Sequence, residues 1–550
     1  MVADGLSVEA HALLRAEGEL LWKRWTTGSG ALPSSALAEH PRLSQKDSLD
    51  AVAAAIARAS DPIEAAALRL LHAQIETLLL AREIGAETDA LERARAALSF
   101  AAPGDARPDR GERDLDRLLT DEASAGRRAA IALAEAKAAQ PLAPLALARD
   151  EALARALARL NLGTWQELQE RTHGVALADL AKLAEQTLAS TEVVAARAVA
   201  GTAQRNLGVT PDRLRRSDLP RLVRSAAADA SFAGGRALSA ARATLGDLAL
   251  ARVAVDAEPS PSKGARPLAL LIDPPADVRL SLRPAGGFEE QRATLHEAAR
   301  AHGGALTTAP RWELAQLGDG SAAEAVAALY EQLSGDPQWL REVTGLRGEP
   351  LDDLVHTQAT RRVLAARRAA ALVLFEIRRR EATGTPEATA ALYRGLLQRA
   401  TLAVLTDEDA ARWALESDPF LHAATALQAA VAAAQLERAL RSGADVPGAT
   451  TSTSTPTSAG PAISTPPAGW WHAPQPLLQK LWALGRSATA LEVARALGAA
   501  ALDPTALAAM AEAQLSYRAP EAPPPTERPD YKFMQGDRRV RRKKHSKKHR

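Results

Sequence analysis

The stretch ATLHEAARAHGG, residues 293–304, contains a candidate site for metal-dependent hydrolysis. In the zinc motif His-Glu-x-x-His, two histidines four residues apart lie one turn apart on a helix face, so both can bind one ion. The glutamate after the first histidine accepts a proton from the zinc-bound water, which then attacks a peptide carbonyl. Here His296 and Glu297 match the motif, but Arg300 stands in the position of the second histidine.

Arg300 cannot take over the role of the missing ligand. An arginine side chain stays protonated and only donates hydrogen bonds, so it does not bind a cation. His302 does not replace it, because a residue six positions after His296 lies roughly 240° around the helix. A ligand from elsewhere, such as His356 or Glu331, would complete the site, but the sequence gives no geometric reason to prefer either.

The composition favours a helical protein without thiol chemistry. Of the 550 residues, 47% are hydrophobic and only 3% are aromatic, so alanine and leucine, both strong helix formers, supply most of the apolar content. The absence of cysteine excludes disulfides, thiolate catalysis and cysteine-based zinc sites. The N-terminal residues lack the pattern of a signal peptide, and no stretch is apolar enough to span a bilayer. We therefore expect a cytoplasmic protein with no membrane partner.

The C-terminal 14 residues, DRRVRRKKHSKKHR, form a strongly basic tail. They carry nine Lys or Arg residues and one Asp, a charge of +8, while the whole chain has a net charge of +2. Such a tail could attach the protein to nucleic acid or another polyanion, because counterion release makes this binding strong and salt-sensitive. Tyr531 and Phe533 nearby could stack on bases. The candidate nucleic-acid residues are Arg538, Arg539, Arg541, Arg542, Lys543, Lys544, Lys547 and Lys548.

Hydrophobic periodicity predicts which elements position these residues. Residues 1–250 read as consecutive helices, including 61–85 and 143–163, followed by a helix that starts after Thr164 as its N-cap. The pattern then predicts two short strands, a helix that contains His296, and two further helices; they span 267–272, 278–283, 288–302, 321–333 and 360–382. In the second strand Val278, Leu280 and Leu282 alternate with Arg279, Ser281 and Arg283, which predicts one buried and one exposed face. Ser321 is the expected N-cap of the helix at 321–333.

The order of these elements resembles the oligoendopeptidase or thimet oligopeptidase family of gluzincin zinc metallopeptidases. The stretch KGARPLALLIDPPADVRLSLRPAGGFEEQRATLHEAARAHGG gives the family's order of basic loop, edge strand, second strand, glycine turn and zinc helix. In the family a third zinc ligand, a glutamate, lies just under thirty residues after the first histidine, and Glu324 follows His296 by 28 residues (324 − 296). The resemblance covers most of residues 240–515.

The resemblance implies a mainly α fold: a two-lobed helical body around a channel, with a small edge β-sheet before the central helix. Its implied division is a helical N-terminal lobe, a metallopeptidase-like core, a Ser/Thr/Pro-rich insertion, C-terminal helices of the same core and a disordered basic tail. These segments span 1–250, 251–447, 448–468, 469–518 and 519–550. The Trp470–Trp471 pair is expected to pack in the core.

The departures from the family concern chemistry and leave the helix intact. The small pair Ala298–Ala299 is kept, but the family's tyrosines, which hydrogen-bond the oxyanion, correspond to His422 and Ala426. A family tryptophan corresponds to Ala430. Losing one oxyanion donor reduces a rate by roughly 10²–10³, so little peptidase activity should remain.

We therefore expect a metallopeptidase-like protein with an incomplete zinc site, catalytically inactive and binding peptides or a protein partner in its channel. Glu297 would be the relict general base, and His296 and Glu324 the two remaining metal ligands. No cofactor is expected, although zinc would bind if the site were intact. Because a buried carboxylate needs a cation, Arg300 should pair with Glu297 or Glu324.

Two alternatives stay open from the sequence. One is an active zinc oligoendopeptidase that recruits an unrecognised ligand, and the other is a helical scaffold attached to nucleic acid by its tail.

Overall fold

Alanine- and leucine-rich helices make up most of the computed structural model, and three short strands form one small sheet. The mainly α prediction is thereby confirmed. The structure describes residues 2–101, 110–246, 250–381, 385–442, 469–472 and 475–520. The expected insertion at 448–468 and all the tail residues from 521 onward lie outside the described residues, so the expectations about them stay predictions.

The N-terminal helices begin where capping residues predict. The Asp61 side chain accepts a hydrogen bond from the backbone N–H of Ile63, and Thr164 forms a reciprocal capping pair with Glu167. The α-helices are Val2–Thr27, Lys46–Arg58, Pro62–Glu83, Gly85–Ala97, Glu112–Asp121, Ala125–Ala139, Ala143–Leu160, Trp165–His173, Leu177–Ser190, Glu192–Leu207, Leu219–Leu222 and Arg236–Leu245. Short 3₁₀ turns join some of them, at Pro33–Glu39, Pro41–Ser44, Gln140–Leu142, Pro211–Arg213, Arg216–Asp218 and Ala226–Ser231.

The small sheet consists of β1 (Ala254–Asp256), β2 (Leu268–Asp273) and β3 (Asp277–Ser281), in the order β1-β3-β2. Strands β2 and β3 were predicted, and they pair antiparallel; β1, which runs parallel to β3, was not predicted. The prediction that Ser281 faces solvent is wrong: its side chain is fully buried, at the end of β3 where it pairs with Asp256 on β1 and Leu268 on β2.

The second half of the chain surrounds two helices that carry the candidate site. The central helix, Phe288–Leu306, is longer than predicted, and it is followed by the partner helix, Ser321–Glu331. The other α-helices of this half are Trp312–Gln316, Pro337–Thr344, Gly348–Glu381, Pro386–Thr401, Asp407–Ala410, Trp413–Glu416, His422–Arg441, Gln475–Leu484, Ala490–Ala496 and Thr505–Ser516. Further 3₁₀ turns lie at Gln332–Gly335, Trp470–His472 and Gly485–Ser487.

The partner helix does not begin as predicted. Its N-cap is Gly320 in a left-handed conformation (φ 70°), and Ser321 is the first helical residue. The Ser321 hydroxyl donates to Asp319 and accepts from the backbone N–H of Ala490, so it joins two helices instead of capping one.

The site region belongs to a core formed by the sheet, the central helix, the partner helix and the C-terminal helices. Trp470 and Trp471 are buried in this core, as predicted. Among the described residues, no helix combines the length and the apolar character that crossing a bilayer requires.

Candidate functional site

The central and partner helices present opposite charges to each other. Arg292, His296 and Arg300 follow at four-residue intervals and therefore form one row on the central helix. Glu324 and Glu331 lie two turns apart on the partner helix. Fully buried alanines, Ala298 and Ala325 among them, let the two helices pack closely, so that their side chains reach each other.

His296 lies between the two carboxylates of the partner helix. Its Nδ1 is 2.8 Å from Glu331 Oε2, and its Nε2 is 3.2 Å from Glu324 Oε2. Burial pulls the pKa of His296 down, but the hydrogen bonds to Glu324 and Glu331 outweigh burial and raise this pKa to about 10. At neutral pH the imidazole is therefore protonated, and both ring nitrogens donate.

Arg300 lies between Glu297 and Glu324. Its Nη1 is 3.2 Å from Glu297 Oε2, and its Nε is 3.1 Å from Glu324 Oε1. The same Glu297 oxygen accepts a 2.8 Å hydrogen bond from the backbone N–H of Ala269 on strand β2. Burial raises the pKa of Glu324, but His296 and Arg300 outweigh burial, so the pKa of Glu324 lies below its usual range.

These contacts continue in the other direction along the central helix. Glu331 also pairs with Arg292, whose Nε is 3.1 Å from Glu289 Oε2, and Glu289 pairs with Arg361. Burial raises the pKa of Glu331, but Arg292 and His296 together lower this pKa to about 2. We call the resulting row of alternating charges the charge chain; it runs Arg361, Glu289, Arg292, Glu331, His296, Glu324, Arg300 and Glu297.

The charge chain offers a poor fit to zinc. A catalytic zinc site needs three protein ligands and an open position. In the described part of the chain, no group of three or more His, Cys, Asp or Glu side chains is arranged to hold a metal ion. Near His296 the guanidinium of Arg300 occupies the place next to Glu324, and a guanidinium has no lone pair to offer.

Two cavities flank the charge chain. The first, of about 60 Å³, is lined by Arg300, Glu324 and Arg486 together with apolar side chains, and we call it the Arg486 cavity. The second, of about 330 Å³, is lined by Arg292 and Glu331 on one side. Ala426 and Ala430, the positions at which the resemblance implied aromatic residues, line this second cavity. Their methyl groups provide no hydroxyl that could donate to an oxyanion.

Three other histidines singled out from the sequence lie outside the charge chain. His302 is 2% exposed and packs edge-on against Trp482, and burial lowers its pKa to about 4. His356 is 3.1 Å from the backbone carbonyl oxygen of Tyr517. His422 pairs with Asp418 and lines neither cavity, and its side chain is 80% exposed.

Sequence reasoning left the role of Glu331 open and missed both Arg292 and Arg486. Helical periodicity is the signal for Arg292 and Glu331, since Arg292 lies one turn before His296 and Glu331 lies two turns after Glu324. No local signal points to Arg486, which comes from a distant turn at Gly485–Ser487. The candidate nucleic-acid residues from Arg538 to Lys548 lie outside the described residues.

Comparison with known proteins gives a match of fold. No protein-family model matches the chain, and no curated protein matches its sequence. A solved structure of an oligoendopeptidase F matches with a TM-score of 0.60 at 14% identity, over 86% of this chain and 82% of that one. PZ peptidase A, solved with an inhibitor, matches with a TM-score of 0.60 at 12% identity, over 90% of this chain and 88% of that one. The helical architecture with its small sheet therefore resembles the fold of these peptidases.

Proposed function

We propose that this chain is a metallopeptidase-like protein with an incomplete zinc site, which binds peptides or a protein partner without hydrolysing them. The similarity of fold to oligoendopeptidase F and PZ peptidase A supports the first part. The second part rests on one observation, namely that the guanidinium of Arg300 lies between the carboxylates of Glu297 and Glu324.

The charge balance at Arg300 supports a site that functions without a metal ion. A carboxylate removed from water requires a positive partner, which zinc supplies in a metallopeptidase. Here Arg300 supplies it to both Glu297 and Glu324, and Glu324 has His296 on its other oxygen. Zinc binding would add two positive charges to a cluster in which every carboxylate already has a cation.

The groups that peptide hydrolysis requires support the same proposal. A general base must accept a proton from water, and the hydrogen bonds from Ala269 and Arg300 to one oxygen of Glu297 leave a single oxygen for that role. An oxyanion donor must point into the site, whereas Ala426 and Ala430 carry no donor. Binding needs none of these groups, and the larger of the two cavities, at about 330 Å³, lies within the size range of ligand sites.

The decisive experiment measures zinc and hydrolysis on the full chain. We expect elemental analysis to find far less than one zinc per chain, and a quenched-fluorescence peptide library to stay uncleaved with or without added zinc. Peptide binding, measured by calorimetry in the presence of a chelator, should persist. One zinc per chain, together with cleavage that a chelator abolishes and zinc restores, would favour an active peptidase with a ligand we did not recognise.

A further inference from the structure

Arg486 is a charged side chain in an apolar cavity. The Arg486 cavity has a volume of about 60 Å³, and most of its wall consists of alanines, glycines and larger apolar groups such as Leu481, Trp482 and Val326. Two arginines line it among the described residues, Arg300 and Arg486. Arg300 is held by its two carboxylates, so the two guanidinium groups differ in what they have left to bind.

The Arg486 side chain makes no hydrogen bond or ion pair with any residue that the structure describes. Burial and the like charge of Arg300 both lower the pKa of Arg486, while the carboxylates of Glu324 and Asp319 oppose this shift. The Arg486 side chain is half-buried and its donors reach water, so a ligand can take the place of that water.

The fold holds Arg486 in this position through two glycines. Gly485 has φ +67°, and a Cβ there would lie 2.6 Å from the backbone oxygen of Leu314. Gly320 has φ +70°, and a Cβ there would lie 3.3 Å from Nε and Nη2 of Arg486. The guanidinium therefore packs against bare backbone at the start of the partner helix, and its position is set by close packing.

We propose that the Arg486 cavity binds a carboxylate carried on an apolar group, with Arg486 as the anchor of the carboxylate. Arginine is suited to this because its planar donors match the two oxygens of a carboxylate. The apolar walls formed by Leu481, Trp482 and Val326 would contact the apolar group next to the carboxylate.

The surrounding charges favour a monoanion. Arg486 is the unpaired cation of the cavity, whereas Glu324 and Asp319 lie close enough to affect its pKa. A dianionic phosphate would bring two negative charges to a cavity with a single unpaired cation, so one of them would stay without a partner. The C-terminal carboxylate of a peptide and a free carboxylic acid share the required chemistry. If the ligand is the C-terminus of a peptide, the inference rests on the proposed function. If the ligand is a free carboxylic acid, it does not.

The experiment compares three probes by calorimetry with a chelator present. The probes are the peptide Gly-Gly-Phe-Leu as the free acid, the same peptide as the C-terminal amide, and N-acetyl-leucine. We expect the free acid to bind at least about tenfold more tightly than the amide, as for a hydrogen bond to a charged group. Arg486→Gln should remove this difference, and Arg495→Gln, which changes an exposed arginine on a neighbouring helix, should preserve it.

A second variant keeps the test independent of the stability of Arg486→Gln. Ala323 is exposed and lines the same cavity, so Ala323→Trp should block the cavity and weaken binding of the free acid without disturbing the core. Retention of wild-type affinity in both variants would overturn the inference.

The three probes also separate this inference from the proposed function. Equal binding of acid and amide would overturn the role of Arg486 and leave peptide binding standing. Binding of N-acetyl-leucine but neither peptide, lost in Arg486→Gln, would support the carboxylate site and count against the peptide source. Chelator-sensitive cleavage of the peptide, followed by mass spectrometry, would overturn the proposed function instead. Absence of binding by all three probes would overturn the carboxylate site.

Discussion

Replacing Arg300 by methionine should destabilise the protein because it leaves two carboxylates without their shared cation. The substitution keeps a side chain of similar length but removes the guanidinium that lies 3.2 Å from Glu297 and 3.1 Å from Glu324. We expect the free energy of unfolding, measured at pH 7, to fall. The loss should shrink when Glu324 is replaced by glutamine as well.

The magnitude follows from how far these groups are removed from water. Breaking a buried ion pair costs about 3–5 kcal/mol, and an exposed pair contributes about 0–1 kcal/mol. The side chains of Arg300, Glu297 and Glu324 are 23%, 15% and 31% exposed, so they lie between these limits. We therefore expect Arg300→Met to cost about 2–3 kcal/mol. The coupling between Arg300 and Glu324 should be about 1–2 kcal/mol, because the pair of Arg300 with Glu297 accounts for the rest of the lost stability.

The assay is a double-mutant cycle, with the free energy of unfolding measured by urea denaturation at pH 7. The matched control is the exposed pair Arg155–Glu151, whose side chains are 65% and 73% exposed. Arg155→Met and Glu151→Gln should show a coupling below about 0.5 kcal/mol. A coupling at Arg300 no larger than at this control pair would refute our view that Arg300 replaces the cation of the site.

Four further predictions concern two histidines, metal binding and the tail. Stability should decrease as pH falls from about 6.5 to 4, because native His302 stays neutral while the unfolded histidine takes up a proton, and His302→Phe should flatten this slope in urea titrations. Stability should also decrease as pH rises from about 6.5 to 10, because native His296 keeps a proton that the unfolded chain releases. The stability of His296→Gln should not show this decrease in the same titration. Arg300→His supplies the missing imidazole, so added zinc should raise the melting temperature of this variant by a few degrees and leave the wild type unchanged in calorimetry. Removing residues 521–550 should abolish salt-sensitive retention on immobilised DNA or RNA, and equal retention of the two forms would refute a role for the tail.

Local signals in the sequence were sufficient for most helices. Asp61 and Thr164 cap their helices because their side chains satisfy backbone N–H groups at the helix start, an effect that depends only on neighbouring residues. Ser321 is not the N-cap, because Gly320, in a left-handed conformation, occupies the N-cap position one residue before it. Strand β1 was missed because it has three residues and exists only through its pairing with β3.

The candidate site was accessible from the sequence only in part. Helical periodicity and the resemblance brought His296, Arg300 and Glu324 together before the structure was known. Periodicity would also have placed Glu331 on the face of Glu324, but it could not show which of the two nitrogens of His296 each carboxylate contacts. Arg486 depends on the packing of two distant turns, and no spacing along the chain contains that information.

The hydrogen bond from Ala269 to Glu297 has a consequence for the edge of the sheet. Strand β2 is at the edge in the order β1-β3-β2, and unpaired backbone N–H groups on an edge strand attract strands from other molecules. Glu297 accepts the hydrogen bond of one of these N–H groups, and Gln316 donates to the carbonyl oxygens of Leu271 and Ile272 on the same strand. Ala269 is also buried, so side chains from neighbouring helices close this part of the edge to pairing with another strand.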